Sequence, residues 1–194
     1  MASAAIASSP VDGRRRVLTA AAERFVAQGY AGTTLRQIAS DIGIKAGSIY
    51  HHFESKDALF AAVLDDGIRV MEAAFSAVDP IGEPGDVLRR HVRAHLGALF
   101  EHGPFTAAHV TAFFTAPTAV RVEAITLRDR YERLWNQLLA DLCPGLDADQ
   151  LPLARLLLFG AMNSTIEWFD PAGDTSLDEL AELITEQFLH GVPA

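Results

Sequence analysis

The chain has 194 residues and is 49% apolar, enough for one or two domains with a packed core. Its formal net charge of −9 is uneven: residues 1–60 hold seven Arg/Lys against five Asp/Glu (+2), and residues 61–194 hold nine against twenty (−11), which excludes a protein that coats nucleic acid indiscriminately and confines any pull on phosphate to the amino-terminal end. A single cysteine, Cys143, excludes an intramolecular disulfide and fits a reducing cytosol, and no apolar run reaches the roughly 18 residues of a membrane span, so a cytoplasmic protein that does not enter a membrane is expected.

In chain order, residues 1–11 are small and uncharged and lack the basic start and apolar block of a signal peptide, so they read as a disordered tail. A first helix is expected from Asp12 to Ala27, with Asp12 at its start and Gly29 as its carboxy-terminal cap. Val17, Leu18, Ala21, Ala22, Phe25 and Val26 form its apolar face. The basic run Arg14, Arg15 and Arg16 either reaches toward phosphates or is a solvated turn. Thr34 and Gln37 fit a capping box that opens a short helix at Leu35, with Leu35, Ile38, Ala39 and Ile42 on its buried side. Gly43 supplies the backbone freedom of a tight turn. A second short helix, Lys45 to His52, has few apolar anchors: Ile49, then Phe53 just beyond it.

That second helix is poor core material and suits the major groove of DNA, which is about 12 Å wide. Its small first residues let the backbone approach base edges, and Tyr50, His51, His52 and Lys56 can donate to phosphates. The alternative is a helical hairpin within an ordinary all-α core.

Ser55 caps a long helix from Lys56 to Ala77, ended by Asp79-Pro80. Further helices are expected at 85–102, 105–115, 117–142, 147–169 and from Ser176 onward. The fifth of these long elements, LARLLLFGAMNSTIEW, is apolar on most faces and needs cover all round. The 117–142 helix carries Arg121, Arg128, Glu132 and other charges on its outer side, with Leu127, Tyr131, Leu134, Trp135, Leu138 and Leu139 inward. This gives about nine helices and no convincing strand, an all-α fold. A domain reading follows: tail 1–11, DNA-binding head 12–60, and a body 61–194, for which the family resemblance described below implies ligand binding and dimerisation.

Phosphate loops, zinc-protease pairs and nucleophile elbows are absent, so no enzyme, metal or cofactor is expected. His91 and His95 have metal-ligand spacing but no obvious third ligand, and read as core-edge histidines. Cys143 has no neighbour that would lower its pKa, and reads as a buried bystander. In the body, the aromatics Phe100, Phe105, Phe113, Phe114, Tyr131, Trp135 and Trp168 alternate with the polar groups His95, His109, Asn163 and Glu167. Effector pockets have this make-up, and so do plain cores. The 147–169 and final helices carry more apolar surface than one body covers, which predicts a homodimer on a roughly palindromic DNA operator.

The run from Arg16 to Leu64, containing AAERFVAQGYAGTTLRQIASDIGIKAGSIYHHFESKDALF, resembles the DNA-binding region of TetR-family transcriptional regulators. The resemblance implies that Tyr50, His52 and Lys56 grip the DNA backbone and that Thr34 and Arg36 touch DNA from the first motif helix. It implies that Lys45, Ala46, Gly47, Ser48 and His51 face the groove. It also implies a three-helix head, a body of about six helices that binds a small-molecule effector, and a four-helix dimer interface. The expected function is a ligand-responsive regulator, a repressor released by its effector. The alternative is a small-molecule carrier whose head has lost specificity. GAMNSTIEWFDPAG resembles a branch regulating lipid and acyl-CoA catabolism, departing from it at Ser164, Glu167 and Asp170.

Overall fold

The structure, a computed structural model, describes residues 10–191, and the expected tail lies outside them for residues 1–9. Among the described residues there are nine α-helices, two short 3-10 turns and no strand, so the fold is all-α. The head holds α1 (Pro10–Gly32, broken at Gly29), α2 (Leu35–Asp41) and α3 (Ala46–Ile49). The body follows with α4 (Lys56–Ser76), α5 (Pro84–Phe100), α6 (Pro104–Ala112), α7 (Thr118–Leu142), α8 (Gln150–Ser164) and α9 (Leu177–Gly191).

Local chemistry fixes most boundaries. Thr34 and Gln37 make the expected capping box: the Thr34 hydroxyl accepts from the Gln37 N–H at 3.3 Å, and the Gln37 side chain accepts from the Thr34 N–H at 2.8 Å. Ser55 caps α4 by accepting from the Ala58 N–H at 3.0 Å. Ser176 and Glu179 form a second capping box at α9, and those bonds hold the Glu179 carboxyl below its usual range. Pro84 and Pro104 sit in the first turns of α5 and α6, where a missing N–H is harmless.

Two expectations are corrected. α1 is helical from Pro10, two residues before Asp12, and Val26 is 39% exposed instead of lying on the buried face. α3 is only four residues long, not eight. Ala46, Gly47 and Ser48 give it little propensity and Lys45 makes no side-chain cap, so its end tightens into i→i+3 bonds from His51 to Ser48 and His52 to Ile49.

The packing has two cores. The first joins the head to the start of α4 and includes Phe105, Ala108 and Ala112 of α6 with Phe113, Val120 and Ala124 beyond it. The second gathers the end of α4 with α5, α7, α8 and α9 around Tyr131, Trp135, Leu158 and Met162. The cores therefore do not part at residue 60: α4 enters both. α8 ends at Ser164, and its expected continuation becomes a 3-10 turn at Thr165–Glu167. Its outer side is bare, with Leu153 62% and Leu157 74% exposed.

α4 and α6 cross at Gly67. A Cβ there would stand 2.4 Å from the Phe105 carbonyl oxygen and 3.1 Å from the His109 Cβ. Gly67→Ala removes a helix-interior glycine, worth about 1 kcal/mol, but forces two backbones apart, at a cost of about 1–3 kcal/mol or more. A lowered urea midpoint is expected. A raised midpoint would show that the crossing has slack.

Candidate nucleic-acid interface and body cavity

The head is held rigid from behind. Arg24 clamps Asp41 with two hydrogen bonds at 2.5 and 2.6 Å, tying α1 to the end of α2 and holding the Asp41 carboxyl below its usual range. Thr33 is fully buried and donates to the Gly29 carbonyl at 2.8 Å. The turn after α2 uses Gly43 at φ 68°, and the Ile44 N–H closes onto the Ala39 carbonyl at 2.9 Å. Ile49 and Phe53 then anchor α3 in the first core.

What remains outward is polar. Thr34, Arg36, Lys45, Gly47, Tyr50 and His51 are exposed, while Ala46, Ser48 and His52 are half-buried. Tyr50 is 58% exposed. A Cβ added at Gly47 would meet nothing within 4 Å, so a partner's edge can come up to this backbone. Thr34, Arg36, Ala46, Tyr50 and Lys56 also share one concavity. Lys56 turns inward from it: its ammonium donates to the carbonyls of Tyr30 at 2.9 Å and Thr33 at 3.1 Å, and lies 4.0 Å from the Tyr30 ring centroid. Tyr30 in turn donates to Asp57. The three arginines of the basic run also have internal partners. Arg14 lies over Phe53, Arg15 pairs with Asp66 at 2.9 Å and lies over Phe105, and Arg16 donates to the Ile42 carbonyl at 3.0 Å. Among the described residues, neither Arg36 nor Lys45 has an acidic partner.

The expected effector residues do not form one site. His95, His109, Tyr131 and Asn163 line an inner cavity of about 50 Å³, together with Ile68, Met71, Val110, Phe114, Arg128 and Phe159. Trp135 is fully buried behind His95 and Phe159, and Phe113 packs on His109. Phe100 packs on Phe169, and Phe105 lies at the junction of α1 and α6 under Arg15. Glu167 and Trp168 are exposed. Trp168 instead edges an open apolar groove of about 640 Å³ between α8 and α9, walled by Leu153, Leu157, Leu183, Ile184 and Phe188. The groove is larger and mostly apolar, with Gln150, Ser164 and Gln187 as its polar side chains.

The cavity's polar wall is well defined. His95 Nε2 meets the Asn163 side-chain oxygen at 3.0 Å and Nδ1 meets the Tyr131 hydroxyl at 2.9 Å. Asn163 Oδ1 only accepts, so the proton sits on Nε2 and the tyrosine donates to Nδ1. Burial lowers the pKa of His95 to about 4. Burial, then the nearby Arg128 charge, lowers His109 to about 4 as well, and its Nδ1 has no partner among the described residues. Arg128, expected on the outer face, has Nε on Glu132 at 2.8 Å and its guanidinium between the Phe113 and Phe114 rings, 4.8 and 4.9 Å from their centroids. Glu132, also expected outside, is shared with Arg155, which is 7% exposed and pairs at 2.7 Å. The sequence does carry a signal for Arg128: with Tyr131 and Trp135 it stands at i, i+3, i+7.

A helix-turn-helix head on a helical body is the architecture of a DNA-binding transcriptional regulator. Residues 17–63 match the model of the bacterial regulatory proteins of the tetR family, and residues 82–192 match a Tetracyclin repressor-like C-terminal domain. The chain belongs to the TetR family of transcriptional regulators. It is 26% identical to the transcriptional repressor KstR2 of Mycolicibacterium smegmatis over 95% of this chain and 93% of that one. It superposes on the TetR-family regulator PfmR of Thermus thermophilus with a TM-score of 0.76 and 26% identity, covering 92% of this chain and 100% of that one. A crystal structure of AibR with isovaleryl coenzyme A and operator DNA shares the fold at a TM-score of 0.78 and 19% identity, covering 90% and 96%. Among the described residues, no helix is long and apolar enough to cross a membrane.

The buried histidines predict a pH dependence. Each has a folded pKa of about 4 against an ordinary 6.5, so between those values the unfolded chain holds the extra proton. Stability should fall as pH drops through that window, by up to about 1.4 kcal/mol per pH unit for each histidine. Urea midpoints between pH 7 and 4.5 check this, and His109→Asn should remove part of the slope. A flat profile would mean that the site admits water.

Proposed function

We propose that the protein is a homodimeric repressor, released from a roughly palindromic operator by an apolar effector, an acyl or acyl-CoA-type molecule among them. The observation that carries this reading is the outward set Arg36, Lys45, Gly47 and Tyr50 on a head whose other cations each contact a group of the protein itself. Cations left without acidic partners and a bare glycine backbone are what a phosphate-lined groove requires. Thr34, Ala46, Ser48, His51 and His52 complete the surface. Lys56 contributes by bracing α1 against α4, with its remaining donor capacity for a phosphate. A carrier with a vestigial head would have no use for this surface.

AibR supports the effector class, since that protein of the same fold was captured with an acyl coenzyme A and operator DNA. The α8–α9 groove is read as the pairing face of the dimer. Its exposed leucines continue on two adjacent helices, and a two-fold partner covers both with the same residues. Pairing there presents two α3 helices, for which an ideal operator has half-sites about 34–36 Å apart.

Binding to DNA from the protein's own upstream region tests the head. Tyr50→Ala should weaken all sequences alike. Arg36→Ala should reduce the slope of log affinity against log salt by about 0.9. Lys45→Ala should change preference at one base position by about 1–3 kcal/mol. Unchanged affinity in all three variants would remove the assignment.

Sedimentation tests the pairing. The wild-type chain should run as a dimer at micromolar concentration, and Leu157→Glu, at a side chain already 74% exposed, should give folded monomers with much weaker operator binding. A monomeric wild-type protein rules the dimer out.

A further inference from the structure

We propose that the body cavity takes a small monocarboxylate with an apolar tail, bound as an anion by Arg128 with His109 as a second donor. This rests on the effector-responsive reading and departs from its acyl-CoA form, because an acyl thioester would present only carbon and a neutral carbonyl to the same wall.

The first ground is charge. Arg128 and Arg155 share the single carboxylate of Glu132, at 2.8 and 2.7 Å, and this triad is largely shielded from solvent, with side-chain exposures of 26%, 8% and 18%. Two guanidiniums on one carboxylate leave one positive charge at the cavity wall. The acids nearest on α4 do not offset it: Glu72 is engaged by Arg130 and Asp65 by Arg69. A partly buried charge without a full counter-ion is costly, and an anionic ligand removes that cost.

The second ground is an open donor. His109 is 6% exposed, lines the cavity and has no partner on Nδ1 among the described residues. The other ring nitrogen faces the Leu64 backbone carbonyl, so His109 donates to a ligand oxygen when the proton moves to Nδ1 and the Leu64 contact is given up. His95 is different, since both of its nitrogens are bonded to Tyr131 and Asn163. A planar carboxylate offers one oxygen to the guanidinium fork and the other to His109.

The third ground is valence and size. One surplus charge and one neutral donor match a carboxylate and fall short of a phosphate dianion, and among the described residues no further cation lines the cavity to meet the phosphates of coenzyme A. The remaining wall, Ile68, Met71, Val110 and Phe159, is apolar and suits a hydrocarbon tail. At about 50 Å³ the cavity is far below the roughly 300 Å³ of an ordinary ligand pocket. Binding therefore opens it, and Phe114, which both lines the cavity and is 67% exposed, is the side chain on its solvent side. Met71 is unbranched and repacks readily.

The test uses the full-length protein at pH 7, with calorimetry and thermal melts against butyrate, hexanoate, octanoate and phenylacetate, their amides, and hexanoyl coenzyme A. At least one acid should bind, at least ten-fold tighter than its amide and than the thioester. Arg128→Gln should lose that preference, and Arg128→Lys should keep part of it. If Arg128→Gln melts without cooperativity, His109→Phe and Arg128→Lys decide, each weakening the acid several-fold while leaving the amide unchanged. An amide or thioester that binds as tightly as the acid overturns the proposal. So does acid affinity that survives in folded Arg128→Gln, or the absence of binding by any acid. Operator binding by the wild-type protein without any acid is measured alongside: if it persists when the acids fail, the regulator reading stands and only the anion assignment falls.

Discussion

The constraint on which the structure depends is the close crossing of α4 and α6 at Gly67. Backbone lies almost on backbone there, because any side chain at residue 67 would overlap the Phe105 carbonyl. The crossing lets one short helix serve two cores. Phe105, Ala108 and Ala112 of α6 fill the core shared with the head, and His109 lines the body cavity. Arg15 of α1 reaches the same joint, pairing with Asp66 beside Gly67 and covering Phe105. Packed interiors transmit strain because they have few voids to absorb it. Cavity and head thus lie on two sides of a single rigid contact.

Electrostatics divides the molecule in a way that net charge conceals. The chain is acidic overall, yet the head's cations have distinct duties: Arg24, Arg16 and Lys56 hold backbone and helix ends in place, while Arg36 and Lys45 stand without acidic partners. In the body, Arg128, Glu132 and Arg155 are withdrawn from water into a partly buried triad of two cations and one carboxylate. Buried ion pairs seldom add net stability. A triad of unequal charge beside a cavity makes more sense as part of a binding wall than as a staple.

The small cavity bears on regulation. A ligand shifts an equilibrium only by its differential affinity for two states. A cavity of about 50 Å³ is a state that excludes ligand, so an effector would favour a conformation in which α6, α7 and α8 have separated around His109, Arg128 and Phe159. The open α8–α9 groove belongs to a different task. Its size reflects an uncovered apolar face, with Leu153, Leu157 and Leu183 exposed along it.

By itself the sequence determined the all-α class, the capping box at Thr34, the start of the last helix at Ser176, the turn at Gly43 and the outward polar face of the helix-turn-helix, because each depends on residues within one or two helical turns. It also placed surplus apolar surface on α8 and α9, since a helix apolar on most faces cannot hide its nature. Only tertiary structure decided the rest. It turned Lys56 inward onto carbonyls 26 and 23 residues away, and drew Arg128 and Glu132 off the presumed outer face. It also split the expected aromatic set among a cavity, a head junction and a groove. Periodicity shows which residues share a face, but long-range packing decides what that face meets. Phe105 and His109 stand four apart on one face of α6, yet Phe105 fills the core shared with the head while His109 also reaches the body cavity, because α4 crosses over both at Gly67.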